Sequence, residues 1–293
     1  MCVDYCGLNK ITAKKRYPLP YIEDLLDKLH GVRVFTKLDL ASGYHQVRVH
    51  PDDCHKTVLI APDGFYEYKV IPLGLVNAPA AFMRMMHKIL HPHQQNAIVY
   101  LEDILIFSKM LAKHKAHMEG VLWALRNARL RLSKPKCVFG TLETLFVGFR
   151  VNRYGIHTEE KKVKAVWDWA IPRTPTELQG FLGLAGYYRK LVPKFAQCAN
   201  LLHDLAAKSK SEYTWTEQHR DQFEDLKKAL TSAPVLATLD PEASFILRTD
   251  PSDTAIGGEL AHKHLFEGKM VERPLGYFSR KLHPVETRYP AYD

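Results

Sequence analysis

The sequence predicts an α+β fold up to about Gly148, then a run of helices, then a shorter strand-bearing region. Three observations lead there. Several short stretches alternate apolar and polar residues, the period-two mark of half-buried strands. Between them lie stretches with apolar residues three and four apart, as on the buried face of a helix. Hydrophobic residues make up 46% and charged residues 25%, the balance of a chain that buries a core rather than staying disordered. The 293 residues suffice for about two domains.

Each element follows in order. "VRVFTKL", 32 to 38, alternates as a strand and runs into Asp39. "YHQVRVH", 44 to 50, alternates again and is broken by Pro51-Asp52-Asp53. Residues 57 to 71 form a hairpin turning on Pro62-Asp63-Gly64. Asn77 caps a helix with Pro79 in its first turn, and Phe82, Met85, Met86, Ile89 and Leu90 line its apolar face. "AIVYLEDILIFSK", 97 to 109, places Leu101, Glu102 and Asp103 between two apolar strands. A second helix carries Met118, Val121, Leu122, Leu125 and Ala128 on one side. Strands interleaved with helices in this way suit a sheet with helices on one face. After Gly148 the texture becomes helical with short loops. Thr174-Pro175-Thr176-Glu177 opens one helix, and Thr216 caps another that buries Phe223, Leu226, Ala229 and Leu230. "KSKSEYTW", 208 to 215, is a polar connector. A third region starts near Pro234, with "SFILRTD" as a strand ending in Asp250 and "ERPLGYFSRKL" as a further strand.

Composition narrows the function class. Lys and Arg total 41 against 32 Asp and Glu, a net charge of +9 that suits a polyanionic partner. The cysteines are Cys2, Cys6, Cys54, Cys137 and Cys198, an odd and scattered set without a disulfide framework. That usage points to a reducing, intracellular compartment, cytoplasmic or nuclear. No second Cys or His pair follows Cys2 and Cys6 at zinc-finger spacing. His114 and His117, one helical turn apart, read as a solvated face. No apolar run approaches the ~18 residues of a membrane span, so no membrane partner is expected.

The chemistry concentrates in three acids. Asp39 ends a strand, while Glu102 and Asp103 sit at a hairpin tip. If the strands lie side by side, the carboxylates repel and raise one another's pKa. A divalent cation resolves this, and oxygen donors with few protein contacts suit Mg²⁺. Two such ions about 3.5–4 Å apart activate an attacking oxygen and stabilise a leaving one in phosphoryl transfer. The alternative is a merely polar hairpin tip. Against it, a tight turn without glycine is strained, and strain gathers at functional sites. Two basic runs surround the acids: "RNARLRLSKPK", 126 to 136, with five basic residues, and "KITAKKR", 10 to 16, with four. With Tyr66, Tyr68, Tyr187 and Tyr188 interleaved, they fit a nucleic-acid track. Each run alone is usually just a solvated face.

Several stretches together resemble one family. "VDYCGLNKITAKKRYPLPYIEDLLDKL", "FTKLDLASGYHQVRV", "GFYEYKVIPLGLVNAPAAF", "YLEDILIFS" and "PRTPTELQGFLGLAGYYRKLV" resemble the reverse transcriptase of gypsy-type LTR retrotransposons. "LRTDPSDTAIGGEL" resembles the start of their RNase H domain. The resemblance implies a right-hand polymerase of fingers, palm and thumb with a mixed palm sheet, plus a truncated RNase H-like α/β domain. Its limits would be 1–152 for fingers and palm, 153–232 for thumb and connection helices, and 233–293 for the partial RNase H-like domain. It implies RNA-directed DNA polymerase activity on an RNA or DNA template-primer with dNTPs, two Mg²⁺ ions (Mn²⁺ as a substitute), and other segments of a longer Pol polyprotein as partners. Asp39 matches the first palm aspartate, and Leu40 would offer its carbonyl to metal and nucleotide. Glu102 and Asp103 fall in the family's Tyr-x-Asp-Asp box, with Tyr100 as its tyrosine. Tyr44 matches the aromatic residue under the incoming sugar, and Gly74 lies where backbone meets nucleotide and template. Phe146, Val147 and Gly148 match the primer grip. Asp250 matches the first RNase H carboxylate.

The departures from the family pattern set further expectations. Glu102 stands where the family has aspartate, and Cys6 where it has arginine. "FVGF" replaces "FLGH". Upstream finger residues would precede Met1, and the second RNase H carboxylate would follow Asp293, so RNase H activity is not expected. One other reading stays open beside the polymerase, and a third fails. The open one is a catalytically degenerate fragment that at most binds nucleic acid. The failed one is a plain RNA-binding sheet domain, which requires exposed aromatics in paired strand motifs that the sequence lacks.

Overall fold

The computed structural model describes residues 3–15, 17–252, 255–266, 269–283 and 285–286, with the side chains of 264–266 and 269 excepted. Cys2, Arg16 of the first basic run and the terminal "RYPAYD" lie outside the described residues. The chain divides into two compact units, Met1–Val147 and Gly148–Asp293.

The first unit opens with two short helices, α1 (Cys6–Ile11) and α2 (Ile22–Asp27). Then come β1 (Val34–Asp39), the hairpin β2 (Leu59–Ala61) and β3 (Gly64–Tyr66), and α3 (Ala78–Leu90). The hairpin β4 (Ala97–Tyr100) and β5 (Asp103–Ser108), helix α4 (Leu111–Asn127), β6 (Val138–Thr141) and β7 (Glu143–Phe146) complete it. The central sheet runs β4-β5-β1-β6. Its described pairings are all antiparallel, so the mixture lies in helices laid on a sheet, not in strand direction. Alternation along the strands sorts the side chains. Leu38, Leu40, Ala97, Val99, Ile104 and Ile106 pack with Phe82, Met83, Met86 and Leu90 of α3 and Val121 and Leu125 of α4. Each large side chain so buried contributes about 1.5–3 kcal/mol. Lys37, Asp39 and Asp103 alternate onto the opposite face, away from these helices.

Several expectations for this unit change. The strand expected at 44–50 begins as a 3-10 turn, Gly43–Gln46. Ser42 enters it with φ +51, and only Arg48 forms a bridge, with Val70. The left-handed residue turns the first half of the stretch into the 3-10 turn, and only Val47–Val49 pair, with Val49 N donating to Lys69 O and Ile71 N to Val47 O. Asn77 makes no side-chain cap. Its Oδ1 accepts from Lys15 N at 2.9 Å and its Nδ2 donates to Ala13 O at 3.0 Å, so it ties down the N-terminal segment instead. His114 is buried, not solvated. Its Nε2 meets Thr36 Oγ1 at 2.7 Å and its Nδ1 meets Ser108 Oγ at 2.8 Å. The two hydroxyls on the sheet face supply polar partners that helical spacing alone does not reveal.

The second unit begins with a hairpin, β8 (Phe149–Asn152) and β9 (Gly155–Thr158), where helices were expected at once. Gly155 has φ +137, and a Cβ there would sit 2.0 Å from Leu236 O. Only glycine lets the segment around Leu236 pair with Ile156. Four helices follow: α5 (Glu160–Trp167), α6 (Pro175–Tyr187), α7 (Phe195–Ala206) and α8 (Glu217–Thr231). Thr174 Oγ1 accepts from Glu177 N at 3.2 Å at the start of α6. Thr216 forms a capping box with His219 at the start of α8. Trp169, Phe181, Phe223 and Trp215 form a chain of ring contacts among these helices. The unit ends in an antiparallel sheet of β10 (Phe245–Pro251), β11 (Ala255–Phe266) and β12 (Lys269–Lys281). The middle strand went unpredicted because its "AIGGEL" start carries two glycines, which weaken a strand signal. Among the described residues no helix is long and apolar enough to cross a membrane.

Candidate functional site

The site forms where β1 ends beside the turn of the β4–β5 hairpin. Asp39 is the register partner of Asp103, and Tyr100 pairs with Asp103 across the turn. Two carboxylates therefore stand on neighbouring strands at the same height. The turn contains only Leu101 and Glu102. Leu101 takes φ +54, a left-handed conformation that costs a non-glycine residue roughly 1–2 kcal/mol. Its side chain packs on the core, and its amide donates to Met83 Sδ at 3.1 Å. Burial and a sulfur acceptor hold the turn that asparagine-glycine chemistry usually forms.

The two aspartates differ in their surroundings. Asp39 Oδ1 is buried and has no hydrogen-bond partner. Lys136 Nζ stands 3.6 Å from it, close enough for attraction but beyond hydrogen-bond length. Asp103 Oδ1 lies 3.0 Å from Lys37 Nζ. The backbone of Asp39 is pinned, its carbonyl accepting from Ser133 N at 2.8 Å. Leu40 pairs with Leu132 in an isolated bridge and buries its side chain in the core. The Glu102 side chain lies against Gly43. A Cβ placed on Gly43 would lie 3.0 Å from Glu102 Cγ and 3.2 Å from its Oε1. Among the described residues no group of three His, Cys, Asp or Glu side chains converges on a metal position. The aspartate pair fits a divalent cation: its donors are all oxygen, and one is buried without a hydrogen bond.

Tyr44 faces the same corner. Its ring lies 5.2 Å from that of Phe82. Burial pushes its phenol pKa up, and the Glu102 carboxylate adds to the shift. Gln46 locks the turn: its Nε2 donates to Ala41 O at 2.8 Å and to Arg131 O at 2.9 Å, and its Oε1 accepts from Arg131 N at 2.6 Å. Part of the basic run at 126–136 is thereby fixed beside the end of β1. Gly74 has φ +98, and its carbonyl accepts from Asn9 Nδ2 at 2.8 Å. Sequence reasoning missed Gly43, Lys37, Met83 and Gln46. Lys37 was visible in principle, two residues before Asp39 and so on the same strand face.

The remaining candidates belong to the end of the first unit and to the second unit. Phe146 is fully buried and Val147 takes φ +43 at the end of the first unit. Gly148, in the second unit, has φ +77, and its carbonyl accepts from Tyr188 Oη at 2.7 Å. Asp250 lies on β10, where its Oδ2 pairs with Lys194 Nζ at 2.6 Å.

The reverse transcriptase (RNA-dependent DNA polymerase) family matches residues 1–151, and the RNase H-like domain found in reverse transcriptase matches 215–293. The chain belongs to the reverse transcriptase family. It is similar to the transposon Tf2-3 polyprotein of Schizosaccharomyces pombe, 38% identical over 294 residues that cover 100% of this chain and 22% of the polyprotein. The Tf2-7 polyprotein of the same organism is 37% identical over the same span. The chain thus spans about a fifth of the length of these relatives. Among solved structures, the foamy viral protease-reverse transcriptase dRH in complex with double-stranded DNA matches with a TM-score of 0.89 at 22% identity, covering 100% of this chain and 50% of that one. The foamy viral protease-reverse transcriptase in complex with RNA/DNA hybrid matches with a TM-score of 0.86 at 22% identity, over 99% of this chain and 39% of that one. The fold is that of a right-hand polymerase with an RNase H-like region.

Proposed function

We propose that this chain is the polymerase-bearing segment of a gypsy-type LTR retrotransposon Pol polyprotein and extends a primer on an RNA or DNA template. The single observation that carries the reading is the pairing of Asp39 with Asp103 at the end of β1, with a buried carboxylate oxygen left without a hydrogen bond. Asp39 and Asp103, with the carbonyl of Leu40, would hold Mg²⁺, which when bound activates the attacking oxygen and stabilises the leaving one. Tyr44, rigid against Phe82, would sit under the sugar of the incoming dNTP, where its bulk disfavours a 2′-hydroxyl. Gly74 and Tyr100 would border the nucleotide, and Phe146, Val147 and Gly148 the primer end. The limits 1–152, 153–232 and 233–293 remain our assignment for fingers and palm, thumb and connection, and RNase H-like region. The fold match to polymerases solved with DNA and with RNA/DNA hybrid supports a template-primer as partner.

Glu102 gives a second reading its one support. Its carboxylate lies against Gly43, and among the described residues it forms no three-carboxylate group with the aspartates that could hold a metal, which suits a chain that binds nucleic acid but turns over poorly. Primer extension with a primed template, dNTPs and Mg²⁺ or Mn²⁺ separates the two. The polymerase reading expects Glu102→Asp to raise extension by about tenfold or more, since a carboxylate misplaced by ~1 Å costs up to about 10²-fold. Extension absent in both the wild type and Glu102→Asp, with template binding intact, supports the binding-only reading.

A further inference from the structure

Two lysines stand at the aspartate pair. Lys37 Nζ lies 3.0 Å from Asp103 Oδ1, and Lys136 Nζ lies 3.6 Å from Asp39 Oδ1. They differ in kind. The Lys136 side chain is 68% exposed and reaches in from a loop after α4. The Lys37 side chain is only 22% exposed, and its partner Asp103 is 28% exposed. Lys37 belongs to β1 itself, where it pairs with Leu105 on one side and Val138 on the other. Strand alternation places it on the same face as Asp39, diagonal to Asp103. Its ammonium is therefore tethered by the sheet to the position of one carboxylate.

We propose that Lys37 is a positioning residue that acts as a built-in counter-ion: it neutralises Asp103 in the metal-free protein, and a divalent cation must displace it to bind. The inference rests on the reading of Asp39 and Asp103 as metal-holding carboxylates. Two aspartates at one height on neighbouring strands repel when bare. An ammonium between the strands removes that repulsion while the protein awaits metal. It also shares the carboxylate oxygens that a cation would take, so the tethered charge weakens metal binding. Lys136, longer in reach and more solvated, does the same for Asp39 to a smaller degree.

The test is Mn²⁺ binding to the full chain without nucleic acid, followed by electron paramagnetic resonance, with thermal unfolding in EDTA alongside. Lys37→Met is expected to bind Mn²⁺ about fivefold more tightly than wild type, the worth of losing a partly buried competing charge. It is expected to unfold at lower temperature in EDTA and to recover most of that loss with Mn²⁺. Lys37→Arg, which keeps the charge, is expected to retain wild-type affinity, an outcome that simple packing does not require. Lys136→Met is expected to shift affinity in the same direction by less, and it tests the idea should Lys37→Met fail to fold. Equal or weaker Mn²⁺ binding by the Met variants overturns the counter-ion role. Asp103→Asn separates this failure from failure of the metal site itself. If Asp103→Asn binds Mn²⁺ as wild type does, the aspartate pair is no metal site and the underlying reading falls.

Discussion

At the scale of single residues, the site depends on close approach. Gly43 lets the Glu102 side chain and the Phe82 ring meet over the Tyr44 turn; a Cβ would lie 3.0 Å from Glu102 Cγ and 3.1 Å from Phe82 Cζ. Phe82 is fully buried and has no room to retreat. Gly43→Ala is therefore expected to destabilise the protein by about 1–3 kcal/mol, as overpacking does, and to push Glu102 off its present seat. Urea unfolding measures the first effect, and an unchanged midpoint would contradict the packing described. The same corner shows how far residues can be read from sequence. Asp39, Glu102 and Asp103 stood out because acids are rare between apolar runs. Gly43 and Met83 did not, since a small residue before an aromatic and a methionine in a helix are ordinary until a neighbour's position is known.

At the scale of elements, the periodic signals carried β1, α3, the β4–β5 hairpin, α4, α6 and α8. They failed where a single residue overrode the pattern, as Ser42 does before the 3-10 turn and as the glycines of β11 do. They also failed for polar groups buried by partners distant in sequence. Thr36 on β1, Ser108 on β5 and His114 on α4 form one hydrogen-bonded cluster, and Gly140 N donates to Thr36 Oγ1 at 3.0 Å, adding β6. Burial lowers the His114 pKa, and the neighbouring charge of His117 lowers it further. The folded state then binds fewer protons than the unfolded state below about pH 6.5, so stability is full above that pH and falls as the solution is acidified through the folded-state pKa. A series of melting temperatures between pH 8 and 5 should show that loss. His114→Gln, which keeps hydrogen-bonding atoms but does not titrate, should flatten the acid side relative to wild type. Parallel curves for the two proteins would remove His114 from the account.

At the scale of the whole molecule, the family is settled by the match over residues 1–151 and by likeness along all of this chain to transposon polyproteins, of which it spans about a fifth. The sheet is suited to the proposed chemistry: helices α3 and α4 bury one face, which leaves Lys37, Asp39 and Asp103 on the other. Part of the chain's positive charge stands at the end of β1, where Lys136 Nζ lies 3.6 Å from Asp39 Oδ1. The central claim is that Asp39 and Asp103 together serve nucleotidyl transfer. Its most direct test is single-nucleotide extension of a primed template by Asp39→Asn in a background active for extension, with template affinity measured in parallel. The account predicts a loss of extension of about 10²-fold or more with template binding retained. Undiminished extension by Asp39→Asn would contradict it.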